Sequence, residues 1–361
     1  MTAVQSRVGH AAATAQTIQP VESPAVWLGS DLAKTDEWMY RLSEEEIGEL
    51  EAALRQTQER GLAIIDIGRE DFPLPTLGPV LVKLQEQVVN GRGFVLIKRI
   101  PVERYTEVEA QTIYWGMGHY WGDAVSQNGK GHVLGHVKDL GMAEGDPARR
   151  GYQTTLKLRY HTDSCDIVCL MCLAKAKSGG LSSIVSSGAI HNEILRRRPD
   201  LIEILRGHFY MDRKCELLDG QLPYASAPVF NYDDGYMTCF YPRGDIDYAQ
   251  RFDAVPKLND EQLEALTLMD SLAEEFSLKM DIELGDIQLV HNHTILHART
   301  SFEDHPEFER KRHMVRLWLS APNGWPLPPS FADRYGSIKV GTVRGGIVVA
   351  GMTLCAPTEA V

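Results

Sequence analysis

The sequence predicts a β-rich α+β fold, a double-stranded β-helix or jelly roll with helices flanking it. Short strand-like runs at 155–161, 167–174, 183–187, 227–231, 236–241, 287–292 and 312–320 are separated by irregular insertions, and helical patterns at 188–206 and 259–279 interrupt them. That order suits an antiparallel double-sheet barrel better than a doubly wound parallel sheet. There is no internal repeat, and no G-x-G-x-x-G or G-x-x-x-x-G-K-[ST] follows a strand, so nucleotide binding has no support.

From the N-terminus, residues 1–24 are rich in Ala, Thr, Gln and Val and lack a compact apolar stretch, which reads as a loose tail and not a signal peptide. Leu42-Ser43-Glu44-Glu45-Glu46 marks a helix start. Ser43 is the N-cap and Glu46 its capping-box partner, with the helix running to about Arg60. "GLAIIDI" (61–67) and "GFVLIKRI" (93–100) read as strands, the segment between them as helix, and 106–119 as a further helix. From Gln127 onward glycines and short apolar pairs indicate irregular chain, and 143–153 is loop by composition. Residues 25–361 are expected to form a single domain with lid-like insertions near 120–155 and 213–226.

Of 361 residues 43% are hydrophobic, ample for a sizeable core. Net charge is −12, from 37 basic and 49 acidic residues, with no long Lys/Arg block, which argues against a nucleic-acid partner. The longest apolar stretch, Ile167 to Ala174, is too short to span a bilayer, so no membrane association is expected and the chain reads as cytoplasmic. The partner expected is a small-molecule substrate, and homo-oligomerisation is left open. Cys169-Leu-Met-Cys172 has C-x-x-C form, but inside a strand positions three apart face opposite sides, so the pair reads as buried core thiols.

Three His-x-carboxylate pairs compete as half of a metal site. His161 and Asp163 end an alternating run, where side chains i and i+2 share a face. His191 and Glu193 fall in a helical pattern, about 200° apart around the axis, and cannot chelate together. His305 and Glu307 flank a proline in a charged loop with no rigid element to fix them. A further histidine would come from "GDIQLVHNHTILHART" (285–300), which offers His291, His293 and His297. Two histidines and one carboxylate suit a non-haem Fe(II) centre, and also zinc. His132 and His136 lack the Glu of H-E-x-x-H and enclose a glycine, which argues against a zinc-protease helix.

"RYHTD", "GGLSS" (179–183), "HNHTILHART" and "RKRHMVRLWL" (310–319) together resemble, in the same order, the signatures of the taurine dioxygenase-like (TauD/TfdA) family of Fe(II)/2-oxoglutarate-dependent oxygenases. The resemblance covers most of 155–320; before residue 120 it is carried only by "GRGFVLIKRIPV". It implies a cupin-like jelly roll that uses Fe(II), 2-oxoglutarate and dioxygen. In that family the distal histidine stands five residues after an Asn, which selects His297 after Asn292, so His161, Asp163 and His297 are implied as metal ligands and His293 as a neighbour. Ser182, after the Gly pair, and Arg312, the first arginine of R-x-x-x-R, are implied to bind 2-oxoglutarate. Arg316 is then implied to face the substrate. Fifteen residues separate His297 from Arg312, slightly more than in taurine dioxygenase itself, which leaves the roles of the two arginines exchangeable.

The implied reaction converts 2-oxoglutarate to succinate and carbon dioxide while the substrate is oxidised, with hydroxylation as the default outcome. Presence of Asp163 argues against halogenating variants; desaturation and ring closure stay open. Two rival readings are a zinc hydrolase on the same triad, which needs neither Gly-Gly-Ser nor paired arginines, and a non-catalytic ligand-binding barrel. Strand parity in "RHMVRLWL" puts Arg312 and Arg316 on one face with Cα atoms about 13 Å apart at roughly 3.3 Å per residue. An inward Arg316 suggests an anionic substrate. Gln127 and Asn128 in "SQNGKGH", with loops 143–155 and 213–226, are expected to border that substrate. Tyr114, Trp115 and Trp121 read as core packing.

Overall fold

A computed structural model describes residues 18–141 and 150–360. Most of the expected tail and most of the 143–153 loop lie outside these residues.

The helix predicted after Leu42 spans Glu44–Glu59, and Ser43 and Glu46 form the reciprocal capping box. Helices Leu77–Asn90 and Glu107–Gly118 follow, the second with its own box between Thr106 and Glu109. Between the first two, "GLAIIDI" is not a strand. Gly61 takes a φ of 63°, which ends the helix, and Ile64–Asp66 form a 3₁₀ turn. Ile64 and Ile67 are buried while Ile65 is 38% exposed, the three-residue period of a 3₁₀ turn and not strand alternation.

Two sheets make the barrel. The larger, seven-stranded, runs Met39–Arg41, Phe94–Lys98, Ile287–His291, Ile167–Ala174, His313–Ser320 and Asp123–Val125, with Leu134–Lys138 also paired to His313–Ser320. All its pairings are antiparallel except that of Met39–Arg41 with Phe94–Lys98. The smaller, four-stranded, runs Leu278–Met280, Ser182–Ser186, Ile295–Arg299 and Leu158–His161. Phe94, Leu96, Val168, Cys172, Met314 and Trp318 from the first meet Ile184, Met280 and Ile295 from the second in one buried cluster, so the sheets face each other.

The outer faces are covered by helices, as the alternation of each strand requires. Val95, Ile97, Cys169, Met171 and Val315 pack under the three N-terminal helices. Val185, Leu296 and Ala298 pack under Ser187–Arg197, Pro199–Leu205 and Asp260–Phe276. Cys169 and Cys172 thus lie on opposite faces of one strand.

Three further differences from the sequence reading have local causes. The helix expected over 188–206 breaks at Arg198, because Pro199 disfavours helical geometry in the residue before it and then starts the next helix. The strand expected at 227–231 straddles two hairpins, His208–Asp212 with Tyr224–Pro228 and Phe230–Asp233 with Tyr236–Cys239. Leu134–Lys138, expected to be irregular, is a strand buried throughout, so it shows no polar alternation. Among the described residues no helix is long and apolar enough to cross a membrane.

Candidate metal centre and cosubstrate cleft

His297 sits on Ile295–Arg299, whose residues 295, 297 and 299 face inward while Leu296 and Ala298 face the outer helices. Its partner across the ladder is His161. Between the pairs His297↔His161 and Arg299↔Leu158 the register slips by one residue, so Leu158 and His161 both line the interior although an odd number of positions separates them. The bulge aims His161 at His297, their ring centroids 4.3 Å apart.

Asp163 lies just past the strand and is held by Asn292. The Asn292 side chain accepts the Asp163 N–H at 2.9 Å and donates to the carbonyls of Asp163 (2.6 Å) and Cys165 (2.9 Å). This bracket gives the Asn-to-His spacing a structural cause: the turn that leads into the strand of His297 also fixes the loop that carries the carboxylate. Among the described residues, His161, Asp163 and His297 are the one group of three whose ligating atoms lie within 4.8 Å of one another. Both Nε2 atoms face the carboxylate, His161 at 3.8 Å from Oδ1 and His297 at 3.4 Å from Oδ2.

The donor set fits a divalent transition metal. His161 Nδ1 lies 2.8 Å from the Arg159 carbonyl, which only accepts, so Nδ1 carries the proton and the Nε2 lone pair points at the triad. Burial and the neighbouring His297 depress the His161 pKa to about 4, which keeps it neutral. Burial raises the Asp163 carboxyl, but Arg316 and the two histidines outweigh it and hold it well below the usual carboxylate range. A neutral histidine and an ionised carboxylate are the ligating forms.

The other candidate pairs are engaged elsewhere. His293 Nε2 lies 2.8 Å from Asp166, which also receives Arg344. His191 bonds Tyr232 and Asn192, and Glu193 pairs with Arg196 and Arg197. Glu307 pairs with Arg310. His136 is on a strand, 2.8 Å from His313 and 2.8 Å from the Pro357 carbonyl.

Two clefts share Arg316, and one of them is lined by the triad histidines. One, about 500 Å³ including space open to solvent, is lined by His161, His297, Ser182, Arg299, Arg312 and Arg316 among others. The Ser182 hydroxyl donates to Gln288 at 3.0 Å. Burial lowers the pKa of Arg312, and burial with Arg312 nearby lowers that of Arg299 to about 9. The second cleft is lined by Gln127, Asn128, His132, Gly135, His136, Tyr152 and Arg316.

Arg316 borders both clefts. Its guanidinium lies 5.0 Å from the Tyr152 ring centroid and 4.9 Å from that of Trp318, and Nη1 is 3.7 Å from Asp163 Oδ2. Gln127 Oε1 accepts Arg316 Nε–H at 2.7 Å, while Gln127 Nε2 donates to the carbonyls of Arg316 (2.8 Å) and Val133 (3.1 Å). A Cβ at position 135 would lie 2.3 Å from Gln127 Oε1, so glycine there makes room for the amide. Gln127 is therefore spent on Arg316. Asn128 Oδ1 accepts the Lys130 N–H at 2.9 Å and shapes the loop.

Sequence reasoning missed Trp318, whose Nε1–H donates to Asp163 Oδ2 at 2.9 Å. Its signal was present, since 312, 314, 316 and 318 share one strand face.

The family model described as "Taurine catabolism dioxygenase TauD, TfdA family" matches residues 53–318. The chain is 30% identical over 332 residues to "FR-33289 synthase" of Streptomyces rubellomurinus, covering 89% of this chain and 96% of that protein. It is 32% identical over 317 residues to "Taurine hydroxylase-like protein SAT17" of Stachybotrys chartarum, covering 85% and 81%. Among solved structures, an asparagine oxygenase in complex with Fe(II), a hydroxyasparagine and succinate superposes with a TM-score of 0.61 at 13% identity, over 79% of this chain and 94% of that one. The non-heme iron oxygenase OrfP in complex with Fe and alpha-ketoglutaric acid superposes at 0.57 and 13%, over 78% and 94%. These last two bear on the fold, a jelly roll in this chain as well. The chain belongs to the TauD/TfdA family of Fe(II)- and 2-oxoglutarate-dependent oxygenases.

Proposed function

We propose that the chain hydroxylates a small anionic organic substrate. His161, Asp163 and His297 would hold Fe(II), and Ser182 and Arg312 would bind the distal carboxylate of 2-oxoglutarate. Arg316 would receive the anionic group of the substrate. The observation that carries the substrate class is the setting of Arg316: a guanidinium fixed by Gln127, framed by Tyr152 and Trp318, beside the triad and open to both clefts.

Bound iron with 2-oxoglutarate and dioxygen supplies the oxidising power, with release of succinate and carbon dioxide. The protein's own contribution is placement. Trp318 occupies Oδ2 of Asp163 and leaves Oδ1 toward His161. Arg312 offers the planar two-donor fork that a carboxylate needs, and the Ser182 hydroxyl turns from Gln288 to add a third donor. Arg316 brings the substrate anion close to the metal site, and its fixed orientation reduces the ordering cost of binding. Gln127 acts through Arg316 as a positioning residue, and Asn128 shapes the rim of the substrate cleft.

Residues 25–361 form one catalytic unit in this reading, and the segments near 120–155, which include two strands of the larger sheet, and 213–226 border the substrate. In support, Glu216 accepts the Gly129 N–H at 3.2 Å and pairs with Arg150 at 3.0 Å, so these segments meet beside the second cleft. The similar structures carry hydroxyasparagine or, for OrfP, hydroxyarginine, both amino acids with an anionic carboxylate. A cytoplasmic enzyme acting on a small metabolite fits these features.

The test is aerobic turnover with Fe(II), 2-oxoglutarate and ascorbate against amino acids, sulfonates, phosphonates and neutral analogues, with succinate as readout. Succinate stimulated by an anionic member of the panel is expected. Stimulation by neutral analogues alone would overturn the substrate class.

A further inference from the structure

Arg299 lies two residues beyond His297 on the same inward strand face, directly across the ladder from Ser182. It lines the same cleft as Ser182 and Arg312. Arg299 is 5% exposed and Arg312 7%. Their guanidinium carbons lie 4.6 and 5.4 Å from the Phe302 ring centroid, which brings the two cations to one aromatic wall.

Two buried like charges are costly unless an anion joins them. Among the described residues neither guanidinium forms an ion pair; Asp139 and Asp304 act on Arg299, and Asp304 on Arg312, only over distance. Asp304 Oδ1 is occupied by the backbone N–H of Arg312. Arg299 Nη2 donates to neutral carbonyls, Thr154 at 2.7 Å and Leu156, while its Nε is buried without a partner. A carboxylate has about four lone-pair sites, and one bidentate arginine fills about two of them.

We infer that Arg299 is a second guanidinium for the distal carboxylate of 2-oxoglutarate, which makes the cleft selective for 2-oxo diacids. This rests on the reading that Arg312 anchors that carboxylate. The carbonyl bonds to Thr154 and Leu156 hold Arg299 in place, and the N–H donors they leave free would complete the anion's shell beside Arg312 and Ser182. Charge neutralisation of the arginine pair then accompanies cosubstrate binding.

The experiment is anaerobic calorimetric titration of the Fe(II)-loaded enzyme with 2-oxoglutarate and with 2-oxobutyrate, which lacks the distal carboxylate. Arg299→Gln is expected to weaken 2-oxoglutarate at least tenfold and to change 2-oxobutyrate less than twofold. Equal weakening of both ligands, or of neither, overturns the inference, because a purely structural arginine cannot distinguish them. Arg312→Gln, titrated in parallel, separates the two readings. If it discriminates and Arg299→Gln does not, only the role of Arg299 fails; if it does not discriminate, the anchor reading fails and this one with it. Should Arg299→Gln not fold, Arg299→Lys carries the test. It retains a charge without the fork, so 2-oxoglutarate is expected to weaken threefold or more with 2-oxobutyrate unchanged, and an unchanged 2-oxoglutarate affinity overturns the inference.

Discussion

Trp318→Phe isolates one hydrogen bond at the metal centre. Trp318 Nε1–H donates to Asp163 Oδ2 at 2.9 Å, and its ring packs inside the barrel with a face toward Arg316. Phenylalanine keeps an apolar ring there and deletes the donor. A hydrogen bond to a charged acceptor contributes about 1.5–3 kcal/mol. Oδ2 keeps Arg316 Nη1 at 3.7 Å, which softens the loss toward the lower end. About 1.5 kcal/mol corresponds to roughly tenfold weaker metal binding, the low end of the effect of removing partners that orient ligands. Anaerobic competition of the variant against a chromophoric Fe(II) chelator measures it, with near-ultraviolet circular dichroism as the control for packing. Unchanged Fe(II) affinity in a folded Trp318→Phe protein would refute the idea that this bond positions the carboxylate.

Other outcomes follow from the same geometry. Arg312→Lys is expected to raise the 2-oxoglutarate requirement about tenfold or more without loss of iron, since Lys does not reproduce a planar fork, whereas Arg316→Lys should chiefly weaken the prime substrate; the reverse pattern in paired titrations exchanges their roles. Replacing Cys165, Cys169 and Cys172 together with Ala should lower the melting temperature but spare iron stoichiometry, and iron loss from a folded triple variant would contradict their placement as core thiols. Burial depresses the pKa of His161 to about 4 and those of His291 and His313 to about 3. Each takes its proton more readily in the unfolded chain, near pH 6.5, so the stability they contribute is complete above that pH and is lost as pH falls toward 4. The metal-free protein should therefore unfold at lower urea at pH 5 than at pH 7, by up to about 2 kcal/mol per histidine, and an unchanged midpoint would show that these groups are not buried as neutral histidines.

The barrel was legible in its long, apolar-rich strands. Residues 167–174 and 313–320 each show one face to the helices and one to the interior, and parity alone placed Arg312 and Arg316 together. It failed at Leu134–Lys138, a short strand that holds Gly135, His136 and Lys138, and at 61–67, where apolar residues serve a 3₁₀ turn. Strand parity suggested a shared face for His161 and Asp163, but the strand ends at His161 and Asn292 holds Asp163 in place. Neither that bracket nor the bulge that aims His161 at His297 was legible, because both belong to the pairing of distant segments. The same holds for Gln127: "SQNGKGH" shows a polar loop, and only folding lays the amide across Gly135 onto Arg316. Asn292 was legible as a spacing marker before its bracket around the Asp163 loop gave that spacing a cause.

The most direct measurement is iron stoichiometry and Fe(II)-dependent succinate formation from 2-oxoglutarate in the wild-type chain, in His161→Ala, Asp163→Ala and His297→Ala, and in His293→Ala as the internal control. One iron per chain and succinate are expected in the wild type and in a folded His293→Ala protein, with succinate abolished in each of the other three. Iron and turnover retained by His297→Ala but lost from His293→Ala would contradict the assignment of the centre.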